Sequence, residues 1–479
     1  MVDTEPVSRF AWVLAFAAFL FACSGEPSSN QASTAASAAA ETASSSVTST
    51  APSSSESETG DETTTAEPAS ADEALTTPSS EQGQTDSARE PAGDTNSDSA
   101  DSDPVDSGPV DSDRIDSDPV DAETESTRNE TREPIEELLD ELIVFVEAER
   151  GLEFTSRPTV FQLDNDEFND AWIELIARDV DDNAVAYRDF TDIYQATGII
   201  DSSDTLEAIW TRFGDAGVLG YYDTDTQQIV LRGGELTTFT ETVLVHELVH
   251  ALEDQVFDLD RDEHDDRDDE IEWVFSAIIE GSARVIEDRY RDTFSQAELD
   301  EENRARNAVP RGVSFDEFTT SFLELQFGRY RYGTTFAEAL WADGQESLDA
   351  ALIEPPGISE QILHPELFDS GSTAGTSVIA PVPDGEVFES GVWGQAGFAA
   401  LLADELGRDA AFAATQGWGS DAYVAWRDGD QTCVRIHVAA DDAEALDRYA
   451  AALEDWADAS DDRSVFFPTA DLIRVTSCG

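Results

Sequence analysis

Lysine is absent from this 479-residue chain: all 27 basic residues are arginine, against 104 Asp and Glu, for a formal net charge of −77. A surface so short of positive charge repels phosphate backbones and anionic headgroups, which excludes nucleic acid and acidic partners. So dense a carboxylate surface stays hydrated and has its self-repulsion screened by salt, which fits a high-salt setting and says nothing about activity. The N-terminal apolar run, residues 10–22, stops at 13 residues, short of the roughly 20 that cross a bilayer. Cysteine and histidine are scarce, at three and five residues, so thiol and imidazole chemistry have few places to occur.

The short apolar run has the length of a signal-peptide core. It ends in Leu20-Phe21-Ala22-Cys23, which resembles a lipobox. That resemblance implies cleavage before Cys23, lipid on its thiol and attachment to the outer face of the cell membrane, an extracytoplasmic address. A plain secretory signal with an incidental cysteine is the alternative. Residues 24–133 are of low complexity, first Ser/Thr/Ala-rich and then a loose six-residue repeat as in "DSDPVDSGPVDSDRIDSDPVD". Almost nothing there can enter a core, so the composition predicts a disordered, self-repelling acidic tether.

Folding is expected from Pro134. "REPIEELLDELIVFVEAERG" sets a proline at the first helical position, acids in the first turn, apolar residues at 138, 139, 142, 143, 145 and 146, and Gly151 as a stop. The stretch 134–479 is long enough for one large domain or two lobes. Periods near 3.6 predict helices over 165–180, 184–196, 203–213, 239–257, 270–292, 316–341 and 442–457. "VLGYYD" and "QQIVLR" predict a hairpin just before 239, and "AYVAW" with "TCVRIHV" a second one around Asp428-Gly429-Asp430. The fold class is therefore α+β, mainly α, with a β-hairpin ahead of the 239–257 helix and a mixed C-terminal lobe. Cys433 lies in the second hairpin and Cys478 is the penultimate residue. In an oxidising compartment they can pair and pin the last strand to that hairpin, or stay as two buried thiols.

The chemistry-bearing stretch is "VLVHELVHALEDQ", residues 243–255. Positions four apart share a helix face, so His246 and His250 can offer imidazole nitrogens to one tetrahedral zinc while Glu247 leans over the open position. H-E-x-x-H arises by chance in on the order of half a per cent of chains of this composition. Apolar neighbours on every side argue for a buried helix, where two imidazoles need partners. A catalytic zinc takes a third protein ligand. In "IEWVFSAIIEGSARVIEDRY" Glu280 stands in an apolar run followed by Gly281, Ser282 and Ala283, small residues that let this helix approach the first. Glu280 is the expected ligand, with Glu272 and Glu287 as fallbacks and a salt bridge to Arg284 as its alternative role.

"HELVH" with "EGSA" 30 residues after His250 resembles the gluzincin type of zinc metallopeptidase, the class of thermolysin-like enzymes. With "VHELVHALEDQVFDL", "IIEGSA", "PPGISEQILHPELF" and "GWGSDAYVAWRDGD", the chain over about 218–430 resembles a group of HELxHALxDQ lipoproteins. The resemblance implies a zincin-like core and a membrane-anchored peptidase acting on peptides or proteins. Glu247 would be general base, with Zn²⁺ held by His246, His250 and Glu280. It also implies a hydrogen-bond donor for the developing oxyanion, for which His364 and Tyr332 are candidates, and a strand, 227–232, that pairs with an extended peptide. Thermolysin-like enzymes carry an aspartate four after the glutamate ligand; here that residue is Arg284, leaving Glu287 or a backbone carbonyl to orient His246.

Other features read more plainly. The acidic stretch 258–270, with His264 inside it, lacks the central glycine of an EF-hand loop and reads as solvated. "FGRYRYG", 327–333, reads as packing. A rival class is a zincin-like surface lipoprotein that binds or builds without turnover; such a protein has no physical need for the base Glu247.

Overall fold

The computed structural model describes residues 15–19, 122–233, 236–261, 269–309, 312–369 and 378–479. Cys23, His264 and nearly all of the expected tether lie outside the described residues. The described chain is mixed α and β, mainly helical, as the periodicity predicts.

The first helix, α1 (Ala122–Arg150), starts well before Pro134. Ala, Glu and Arg are good helix formers and extend it backwards. Packing begins where the sequence places it: Ile135, Leu139, Leu142 and Val146 are buried and repeat on one helical face. Gly151, at φ 66°, ends the helix in a left-handed turn that a side chain would resist. After β2 (Thr159–Leu163) come α2 (Asn165–Asp182), α3 (Ala184–Thr197) and α4 (Leu206–Gly217). Asp164 and Glu167 form a capping box on α2. Thr205 accepts from Ala208 N and so starts α4 later than periodicity alone predicts.

The expected hairpin is β3 (Val218–Asp223) and β4 (Gln228–Arg232); its turn is closed by Asp223 Oδ1, which accepts from Asp225 N at 3.1 Å. The sheet order is β1-β3-β4-β2, where β1 is Ala15–Phe19. This corrects the expectation that 227–232 offers a free edge. β2 pairs with β4 in parallel on one side and β3 covers the other. The outer hairpin strand is β3, and β1 pairs with it antiparallel. The sequence reading missed β2 because "TVFQL" is a five-residue, largely half-exposed strand without clean alternation.

Three long helices form the centre: α5 (Thr238–Phe257), α6 (Asp269–Arg291) and, after α7 (Gln296–Ala308), α8 (Thr320–Asp343). The hairpin packs on α5, α5 on α6 and α6 on α8. Helices α9 (Gln345–Ile353), α10 (Ser359–Leu363) and α11 (Pro365–Asp369) lead to β5 (Glu386–Gly391), α12 (Gly394–Leu406) and α13 (Arg408–Ala414). The second sheet is antiparallel, in the order β5-β6-β7-β9-β8. Its hairpin, β6 (Trp418–Asp428) and β7 (Gln431–Ala440), turns at Gly429 with φ 66°, a value glycine suits in a two-residue turn. Past α14 (Ala443–Asp458), β8 (Arg463–Thr469) and β9 (Leu472–Cys478) complete the sheet. Cys433 lies opposite Cys478 and the two are disulfide-bonded, which settles the choice between a bridge and free thiols. Among the described residues no helix is long and apolar enough to cross a membrane.

Candidate metal centre

Helix α5 is buried along most of its length, from Phe239 to Asp254, as a helix apolar on all faces must be. Thr237 caps it by accepting from Thr240 N. His246, Glu247 and His250 are 1%, 0% and 0% exposed, so this helix carries ionisable groups in its most enclosed stretch.

The tail of the same motif, "ALEDQ", holds the helix in place. Glu253 Oε1 accepts from Arg150 Nε at 2.7 Å and from Ser282 Oγ. Asp254 accepts from Tyr222 Oη at 2.7 Å and from Leu259 N at 3.0 Å. Gln255 Oε1 accepts from Thr155 N at 2.9 Å and Ser156 N at 3.0 Å, and its Nε2 donates to Ser156 O at 3.1 Å. Three successive side chains thus tie α5 to α1, to β3 and to the loop after α1. Sequence reasoning missed these roles; the available signal was a cluster of polar residues within an otherwise apolar helix.

Helix α6 brings in Glu280. Its Oε2 lies 3.2 Å from His246 Nε2 and 3.6 Å from His250 Nε2, and all the ligand atoms fall within 4.8 Å of one another. Ligands bound tetrahedrally at about 2.0–2.1 Å from zinc stand roughly 3.3 Å apart, so these separations fit a zinc ion with little movement. Two imidazoles and one carboxylate suit zinc better than the oxygen-only spheres of magnesium or calcium. Among the described residues this is the one such grouping.

The expected alternative partner for Glu280 is engaged elsewhere: Arg284 Nη1 binds Glu287 Oε2 at 2.6 Å and its Nη2 reaches Asp288 at 3.5 Å. The small residues after Glu280 serve two neighbours rather than one. Ser282 faces α5 through Glu253. Gly281 instead meets Gly333 of α8, where a Cβ on either would run into the backbone of the facing helix.

Glu287 answers what orients His246. Its Oε2 lies 3.2 Å from His246 Nδ1, so the ring is held at both nitrogens and Nε2 is directed at Glu280. Burial pushes the Glu287 carboxyl upward, but Arg284 and His246 outweigh it and hold it at about 2. The carboxylate is therefore ionised, as a partner for a ligating imidazole should be. Glu272 takes no part; its charge is felt by Arg329. Glu287→Gln is expected to lower zinc affinity by about 10–100-fold, read by competition with a chelator, while Glu272→Gln leaves it unchanged.

In the protein alone, burial opposes charge on His246, but the Glu280 and Glu287 carboxylates outweigh it and raise its pKa to about 10. Burial lowers His250 to about 4. For Glu280 the upward push of burial is overcome by the two histidines, which bring it to about 2.

Tyr330 of α8 completes the surroundings. Its Oη donates to Glu280 Oε1 at 2.7 Å, and its ring stacks 6.3 Å from that of His246. The Glu247 carboxylate is near enough to raise the pKa values of both His246 and Tyr330. The sequence reading chose Tyr332 and His364 as donors, and neither joins the cluster. Tyr332 Oη donates to Glu324 Oε1 at 3.2 Å and its ring stacks on Phe412 at 5.3 Å. His364 stacks on the same Phe412 at 5.9 Å, with Nε2 3.2 Å from Gln395 Nε2. Residues two apart on a helix point about 200° apart, so only one tyrosine of "RYRYG" can face α6.

No protein family, curated protein or solved structure matches the chain.

Proposed function

We propose that the protein is a zinc-dependent peptidase with a zincin-like core, exported and lipid-anchored through Cys23 to the outer face of the cell membrane; on this reading β1 belongs to the leader removed before Cys23, and β3 becomes an edge of its sheet in the mature chain. The observation that carries the reading is the convergence of His246 Nε2, His250 Nε2 and Glu280 Oε2 at ligand spacing, with the fully buried Glu247 on the intervening turn. Zinc, when bound, supplies Lewis-acid polarisation of the scissile carbonyl and acidifies water. Glu247 takes the proton from the attacking water and delivers it to the leaving amine. Glu287 fixes the His246 tautomer, and Tyr330 holds Glu280 through its second oxygen. Peptides or proteins are the substrate class; the charge balance leaves nucleic acid out.

The test is hydrolysis of a broad peptide library by the purified chain. Cleavage is expected to vanish on chelation and return with added zinc. Zinc binding with no cleavage across the library would instead favour the non-catalytic surface lipoprotein.

A further inference from the structure

Helices α6 and α8 touch backbone to backbone beside the cluster. Gly281 and Gly333 both stand inside helices and neither has a positive φ, so their conformation does not call for glycine. Alanine is the better helix former at both. Glycine is needed for space instead: a Cβ on Gly281 would run into the carbonyl of Gly333, and one on Gly333 into the carbonyl of Ala277. Ala277 and Gly281, four apart, thus form a notch on α6 that seats Gly333. Two hydrogen bonds align the same pair of helices, from Trp273 Nε1 to Leu325 O at 3.0 Å and from Arg329 Nη1 to Ser276 Oγ at 3.5 Å.

Next to this notch are two side chains that meet at the metal centre. Glu280 precedes Gly281, and Tyr330 lies one helical turn before Gly333 on the same face of α8. Oε2 of Glu280 faces His246 Nε2 and His250 Nε2 at 3.2 and 3.6 Å, while its Oε1 accepts from Tyr330 Oη at 2.7 Å. The two oxygens therefore have separate tasks. Both side chains are buried, so turning the carboxylate to bring Oε1 onto a metal would strand a phenol O–H away from solvent, a cost that holds the carboxylate where it is. A carboxylate restricted to one oxygen leaves a tetrahedral zinc with three protein ligands and one open position. One that used both oxygens would crowd that position. We infer that Tyr330 is a positioning residue that holds Glu280 to one-oxygen ligation, and that the contact of Gly281 with Gly333 sets the helix spacing at which the phenol reaches it. An open position for water beside Glu247 is the consequence. The inference deepens the zinc-peptidase reading and rests on its metal centre.

Cobalt(II) loaded into the full chain in place of zinc tests this without requiring turnover, because its visible absorption is strong in a four-coordinate site and weak when further ligands bind. The wild-type chain is expected to give the strong spectrum. Tyr330→Phe, which keeps the ring and removes the donor, should still bind cobalt but lose absorption several-fold as Oε1 joins the metal. Gly333→Ala, which widens the helix spacing and keeps the phenol, should lose it in the same way. Tyr332→Phe, whose hydroxyl serves Glu324, should not. A wild-type spectrum in a folded Tyr330→Phe chain overturns the inference, and so does an equal loss in Tyr332→Phe. A Gly333→Ala chain that is less stable yet keeps the wild-type spectrum overturns the role given to the glycine contact; if that variant does not fold, Tyr330→Phe decides. Zinc-dependent hydrolysis beside an unchanged Tyr330→Phe spectrum overturns the inference alone. The expected spectra with no hydrolysis of any peptide overturn the peptidase reading and leave the inference standing.

Discussion

Glu247→Gln is expected to reduce peptide hydrolysis by at least about 10²–10⁴-fold, the usual contribution of a general base, while zinc content and thermal unfolding stay at wild-type levels. The reason is geometric. Glu247 lies on the turn between His246 and His250, fully buried, yet the ligand grouping is His246, His250 and Glu280. An amide of the same shape fills the same space, so the fold has no reason to change. It cannot take a proton from water, so the chemistry has every reason to fail. Steady-state kinetics beside elemental analysis of the same preparation separate the two effects. Full activity in this variant would remove Glu247 from its role.

Arg150→Met is expected to destabilise the fold by about 3–5 kcal/mol, the range for breaking a buried ion pair, read by chemical denaturation. Arg150 and Glu253 side chains are both 0% exposed, 2.7 Å apart, and Asp349 accepts a second bond at 2.8 Å. Methionine replaces the length of the side chain but leaves the Glu253 carboxylate with Ser282 alone. Burial already raises the Glu253 pKa, against the pull of Arg150, and the variant raises it further. A carboxyl whose folded pKa lies above its unfolded value favours the folded state less as pH climbs from the unfolded pKa toward the folded one. The loss should therefore be smaller at pH 5 than at pH 8. Because Glu253 anchors α5 one turn beyond His250, zinc affinity should fall with it.

The two predictions draw on different layers of legibility. His246, Glu247, His250 and Glu280 could be named from the sequence because ligand chemistry and helical spacing confine them to few positions, and the long helices followed from sustained apolar periods. What surrounds the site was less legible. Tyr330 and Tyr332 are equivalent on paper, and only the contact of Gly281 with Gly333 decides which of them reaches Glu280. Arg150 lies more than a hundred residues from Glu253, and no local pattern announces that pairing. Arg284, in the place of an expected aspartate, acts through Glu287, one turn further along α6. The strands β2, β5 and β8 were missed because they are short or carry exposed apolar residues; Phe466 and Phe467 of β8 are 55% and 45% exposed, which breaks the alternation that identifies a strand.

Elemental analysis of the protein purified without chelators or added metal tests the central claim most directly. The account predicts about one zinc per chain, and none in a His246→Ala, His250→Ala double variant that still folds. A wild-type chain that carries no transition metal and binds no zinc on titration would contradict it.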